Sequence, residues 1–317
     1  MIRPRQFLRL MPALAALALI QPGWAAQPQR GMKQDRQPAG ASAPFQLAPY
    51  KDRLFGYPRI LLSRYGGDYL KVQYIKARDL YQRDSVPMKR VQPQYLSLET
   101  RRFEKDYTLR EGRTLVRFIG VGNISGGARL IVIFVHGQNG TRFLGANDQM
   151  FGGNFNRIKN LMVRNEGAYA SPGLADFREK GARQVALLID TLRERSPGAP
   201  LFVACGSMGG AICWRLINNP ATARKLSGLL LMGSTHSNRF LKSRALRNST
   251  NPVPIYLGHG SDDKIFNWER QARFFKQVRK LAPGYPIRMV LFDSGSHGTP
   301  IRMTDWRDIL NWMLARG

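Results

Sequence analysis

Apolar and polar positions change their rhythm near residue 126. Before it, short alternating runs dominate: 60–62 and 69–74 flank Gly66-Gly67-Asp68, and 106–109 and 114–119 flank Arg110-Glu111-Gly112-Arg113. Each pair reads as two strands joined by a turn. Residues 84–98 carry no period and read as irregular. After Gly126-Gly127, unbroken apolar runs alternate with stretches of helical spacing. Residues 130–135 form an apolar run suited to a strand buried on both faces. Helical spacing follows over 155–163, a short strand over 168–170, and a long helix over 176–195 with Val185, Leu188, Ile189 and Leu192 on one stripe. Strands at 201–204, 226–232, 253–257 and 287–292 then alternate with helices at 208–218, 268–281 and 303–315. Such β-α alternation predicts an α/β protein: a mostly parallel central sheet flanked by helices, with antiparallel hairpins entering at the N-terminal edge.

The first residues follow another grammar. Arg3, Arg5 and Arg9 precede an apolar run over 10–20, and Gly23-Trp24-Ala25 supplies the small residues of a cleavage site. The run is too short to cross a bilayer, which needs about 20 apolar residues. A signal peptide over 1–25 is therefore expected, then a leader over 26–50 rich in Gln, Pro, Gly and Arg, then a single domain over 51–317. The mature chain is expected in the periplasm or outside the cell.

Composition sharpens this picture. Hydrophobic residues make up 43% of the chain, enough for a core. Two cysteines exclude a disulfide scaffold. The net charge of +28 points to anionic partners, and export turns that expectation from nucleic acid to an anionic membrane or envelope surface. The excess is spread over the fold, with no Asp or Glu from Arg195 through Ser261.

The chemistry gathers at strand ends, where open α/β sheets place their sites. All four histidines, His136, His236, His259 and His297, lie at or just after predicted strand ends. In Ala204-Cys205-Gly206-Ser207-Met208-Gly209-Gly210, an apolar strand runs through a small-x-Ser-x-Gly turn into a helix. A nucleophile on so tight a turn needs small neighbours, and the helix N-terminus behind it favours developing negative charge. Three other strand-end loops accompany it: His136-Gly137-Gln138-Asn139-Gly140, Gly258-His259-Gly260-Ser261-Asp262-Asp263, and Asp293-Ser294-Gly295-Ser296-His297. No His-x-His or HExxH spacing supports a metal site on His136, His259 and His297. Cys205 serves as a small residue beside the turn and Cys213 lies farther along the helix, so both are expected as buried thiols.

The order Ser, acid, His, each on its own strand end, resembles the α/β-hydrolase superfamily from about residue 100 to the C-terminus. The resemblance implies a serine hydrolase, esterase- or lipase-like, with peptidase and acyltransferase as in-class alternatives. It makes Ser207 the nucleophile, His297 the base and Asp263 the acid, with Asp262 as the alternative acid and Asp293 as an outsider. It makes the backbone N–H groups of Gln138 and Met208 the oxyanion hole, requires no cofactor or metal, and implies a small-molecule or lipid ester as substrate. The family's lid position falls at 234–252, a short insertion. There His236, Arg239, Lys242, Arg244 and Arg247 are expected as a substrate rim for anionic esters. A competing reading is a catalytically idle protein of this fold that binds the anionic envelope; it has no need of a complete Ser/Asp/His set. N-terminal sequencing of protein recovered from the periplasm or medium should begin at Ala26; a chain starting at Met1 would mean that the segment is retained.

Overall fold

The computed structural model describes residues 45–247 and 250–316. The expected signal peptide and the leader up to residue 44 lie outside them. Residues 45–50, assigned by composition to the leader, instead belong to the folded body. Leu47 is buried, its N–H donates to Asn311 Oδ1 at 2.8 Å, and its carbonyl accepts from Arg307 Nε at 2.7 Å. One apolar residue and two backbone bonds outweigh the polar average around them.

A helical turn, α1 (Asp52–Phe55), leads to the hairpin β1 (Ile60–Arg64) and β2 (Tyr69–Gln73). A π-helical turn (Ala77–Gln82) follows, and the aperiodic stretch after it holds the two-stranded β3 (Asp84–Val86) and β4 (Arg90–Val91) and the first of two short 3-10 turns. The hairpin β5 (Glu104–Glu111) and β6 (Thr114–Gly122) turns at Gly112, whose φ of 52° only glycine adopts freely. It is tighter than the four-residue turn expected, because strand character extends through Glu111. Then follow β7 (Ile131–Val135), α2 (Arg142–Ala146), α3 (Asn154–Arg164), β8 (Ala168–Pro172), α4 (Glu179–Arg195), β9 (Leu201–Gly206), α5 (Gly210–Asn218) and α6 (Pro220–Ala223). The chain closes with β10 (Gly228–Met232), the short helices α7 (Asn238–Leu241) and α8 (Arg244–Arg247), β11 (Ile255–Gly260), α9 (Trp268–Leu281), β12 (Ile287–Asp293), α10 (Thr299–Met303) and α11 (Trp306–Leu314).

Ten strands form one sheet in the order β1-β2-β12-β11-β10-β9-β7-β8-β6-β5. From β2 to β8 every neighbouring pair is parallel, so these strands end on the same side of the molecule. The hairpins β1-β2 and β5-β6 occupy opposite edges, because β2 pairs with β12 while β6 pairs antiparallel with β8. Side chains alternate between two cores. Ile131, Ile133 and Val135 meet the stripe of α4 together with Ile212, Leu216 and Phe274; Val132 and Phe134 meet Phe155, Ile158, Trp306 and Leu310. The C-terminal helix expected over 303–315 starts at Trp306, and a short helix, α10, precedes it, separated from it at Thr304. Asp305 caps α11 by accepting from the N–H groups of Arg307 and Asp308, which starts a new helix instead of continuing α10.

Cys205 and Cys213 form a disulfide, not two thiols. The chain reverses at the end of β9, so α5 runs back over that strand and faces it with Cys213. The two Cα atoms are 6.3 Å apart, within bridging range. Spacing along the chain does not report this fold-back. Replacing both cysteines by alanine should lower stability by roughly 2–3 kcal/mol, as expected for a short cross-linked loop. The urea midpoint checks it, and an unchanged midpoint would mean that the bridge contributes nothing.

Candidate active site

The turn after β9 is the most constrained backbone of the site. Ser207 has φ 51°, a left-handed conformation that costs a non-glycine residue free energy. It is the price of reversing the chain within Ser207–Gly209. Close packing leaves no room for larger neighbours. A Cβ on Gly209 would lie 2.6 Å from the His136 carbonyl oxygen, and one on Gly137 would lie 2.7 Å from Ser207 Cβ. The buried hydroxyl of Ser234 donates to the Ser207 carbonyl at 2.7 Å and pins the strained residue to the end of β10.

Three side chains from different strand ends meet there. Ser207 Oγ is 2.9 Å from His297 Nε2, and His297 Nδ1 is 2.8 Å from Asp263 Oδ2. Asp263 is buried, and its other oxygen accepts from the N–H groups of Ile265 at 2.8 Å and Phe266 at 3.0 Å. Burial opposes its charge, but the bonds from His297, Phe266 and Ile265 outweigh that cost and hold the carboxyl below its ordinary pKa. With Asp263 ionised, Nδ1 carries the His297 proton and Nε2 is free to accept one from Ser207. The Phe266 ring lies 5.6 Å from the imidazole and covers one side of it.

The chain is similar in structure to a thermostable esterase, with a TM-score of 0.54 and 13% identity over 68% of this chain. The similarity spans 63% of that esterase, under two thirds of its length. It is similar also to the esterase Pf2001 of Pyrococcus furiosus, with a TM-score of 0.51 and 13% identity over 69% of this chain and 93% of that one. The chain has the α/β-hydrolase fold. No family model and no curated protein matches the sequence.

Within this hydrolase fold, the remaining sequence-predicted residues separate. Met208 follows Ser207 and is exposed; Gln138 follows Gly137, whose backbone abuts Ser207. Asp262, the alternative acid, turns outward to Lys264 at 2.5 Å, and Asp293 pairs with Lys71 at 2.9 Å, so neither reaches His297. His136 and His259 place ring nitrogens 2.8 Å and 2.9 Å from the carbonyls of Gly137 and Phe266, and burial lowers the pKa of both. His259 also lies 3.4 Å from Asp263 and supports the acid from behind.

Except for Arg247, the residues expected as a rim divide between two hollows. His236 and Arg239 line a hollow of about 480 Å³ beside α5, and Arg239, Lys242 and Arg244 line a second of about 700 Å³ at the far end of that helix. Neither is lined by Ser207, Asp263 or His297. Ile217 in the second stands about 10 Å along α5 from Gly210, at 1.5 Å per residue. Arg247 is exposed at the end of α8 and lines neither hollow. Lys242 and Arg244 share the second hollow with Leu226 and Val253, which precede β10 and β11, whereas His236 shares the first with Ala211 at the start of α5. Ser234 was not singled out by sequence; the only signal was its place in the small-residue run Gly233-Ser234 at a strand end.

The depressed pKa of Asp263 has a stability consequence. Its ionised form contributes in full above the ordinary carboxylate pKa of about 4, and that contribution is lost as pH falls through the lower folded value. The unfolding free energies of wild type and Asp263→Asn should therefore converge on acidification below about pH 4. A gap unchanged by acid would contradict the bonding described.

Proposed function

We propose that the mature protein is an exported serine hydrolase that cleaves a carboxylic ester through an acyl-enzyme intermediate on Ser207. The observation that carries this reading is the unbroken hydrogen-bonded relay from Ser207 Oγ through His297 to Asp263, with the serine held on a strained turn. Ser207 Oγ attacks the ester carbonyl carbon as its proton passes to His297 Nε2. The carbonyl electron pair moves onto oxygen, toward the backbone N–H groups of Met208 and Gln138. Collapse of this intermediate expels the alkoxide, which takes the proton from His297. Water then repeats the sequence against the acyl-serine and frees the acid. Asp263 keeps the proton on Nδ1 and stabilises the imidazolium that forms in each half-reaction.

Nucleophile, base, acid and oxyanion donors all come from this chain, so the reaction calls on no cofactor. Exposed Met208 and Ile265, with Phe266 against His297, favour an ester with an apolar acyl group, small-molecule or lipid. Export is supported by the Cys205–Cys213 bridge, which persists in oxidising compartments. Ser207→Ala should abolish turnover of a p-nitrophenyl ester and labelling by a fluorophosphonate while leaving the unfolding midpoint in place. Asp263→Asn should lower kcat by about 10⁴-fold by supplying the wrong tautomer. A serine variant that keeps both activities would overturn the assignment.

A further inference from the structure

Beside the site, the segment 75–91 presents an unusual surface. It leaves the sheet at the carboxyl end of β2, which is in register with β12 from Tyr69↔Met289 to Gln73↔Asp293. It therefore emerges on the side of the molecule that carries His297. Ile75, Tyr81, Val86 and Met88 are 41%, 52%, 40% and 62% exposed, and Lys76, Lys89 and Arg90 are exposed among them. The segment's two acids both turn inward: Asp79 and Asp84 are buried. Its outer face is thus apolar and cationic, without a carboxylate.

This face is held rigidly. Asp84 takes a bidentate pair from Arg302 at 2.9 and 2.7 Å, and the same carboxylate accepts from the Met88 N–H at 2.8 Å. Arg302 also donates to the Asp79 carbonyl at 3.2 Å. Met88 itself has φ 62°, at the tip of a turn closed by the Lys89 N–H on the Val86 carbonyl at 3.0 Å. A strained backbone and a buried ion pair hold the most exposed methionine of the segment outward. Solvent alone rewards neither feature. Lys76 lies 5.4 Å from the centroid of the Tyr81 ring, joining cation and aromatic in one patch. The anchor, Arg302, stands five residues beyond His297, on α10.

We propose that residues 75–90 form a docking surface for a lipid bilayer carrying anionic headgroups. Ile75, Tyr81, Val86 and Met88 would enter the headgroup boundary, and Lys76, Lys89 and Arg90 would meet the lipid phosphates. The acid-free face selects an anionic surface over a neutral one. Its benefit to catalysis, holding the strand-end site against lipid esters, rests on the serine hydrolase reading; the binding itself does not.

Co-sedimentation of the mature protein with phosphatidylcholine vesicles, with and without phosphatidylglycerol, tests the surface. Wild type and Ser207→Ala should bind the anionic vesicles alike, which separates docking from chemistry. Lys89→Gln/Arg90→Gln should weaken binding about 25-fold, at about fivefold per cation. Tyr81→Ser/Met88→Ser should remove the binding that survives high salt, and a polarity-sensitive fluorophore on Met88→Cys should shift to the blue on vesicles. Lys242→Gln/Arg244→Gln, on the opposite end of α5, should bind as wild type. The proposal is overturned if wild type stays in the supernatant, if Tyr81→Ser/Met88→Ser binds unchanged, or if the distant pair weakens binding as much as the local one.

Discussion

The arrangement of the site depends on one strained residue. Ser207 stands in a left-handed conformation between β9 and α5, and several other features keep it there. Glycines at 137 and 209 let β7 and its loop approach without a Cβ in the way. Ser234 holds the carbonyl, and the disulfide ties the strand before the turn to the helix after it. The strain is local, whereas its compensation is distributed over three strands, β7, β9 and β10; the parallel register brings those strand ends to one level.

Charge is used in two different ways in this molecule. Inside, cations are paired and structural: Arg157 bonds Asp52 and Asp305, Lys159 bonds Glu104 and Asp148, and Arg302 bonds Asp84. Breaking such buried pairs by removing one partner leaves an uncompensated charge, so they fasten the segment before β5 to α3, α10 and α11. Outside, most cations are exposed, and some carboxylates that would offset them are spent inside. The basic character of the surface follows partly from where the acids went.

Much of the sheet was legible because buried parallel strands need continuous apolar residues, and β7, β9, β10, β11 and β12 have them. The turn at Ser207 was legible because few residue types tolerate it. The break at Thr304 and the small strands β3 and β4 were not, since they rest on a cap at Asp305 and on inward-turned acids that carry no period. Among the site residues, Ser207 and His297 stand at strand ends marked by the apolar runs, whereas Asp262 and Asp263 share one strand end and spacing does not separate them. Ser234 was not legible, because its role is a single bond to a backbone carbonyl. Lys242 and Arg244 follow β10 closely in sequence, yet they lie beside Leu226 and Val253, which precede β10 and β11, and spacing along the chain does not report this.

By itself the sequence determined the layers, the strand ends and the residue types that can stand on them, because periodicity and tight turns are local properties. Tertiary structure decided what meets across those ends. It joined Cys205 to Cys213 through the fold-back of α5, and it chose Asp263 over Asp262 by turning one inward and the other to Lys264. It also sent the two N-terminal hairpins to opposite edges of one sheet. Each of these depends on pairing between segments far apart in the chain, and such pairing leaves no mark on the spacing of residues along it.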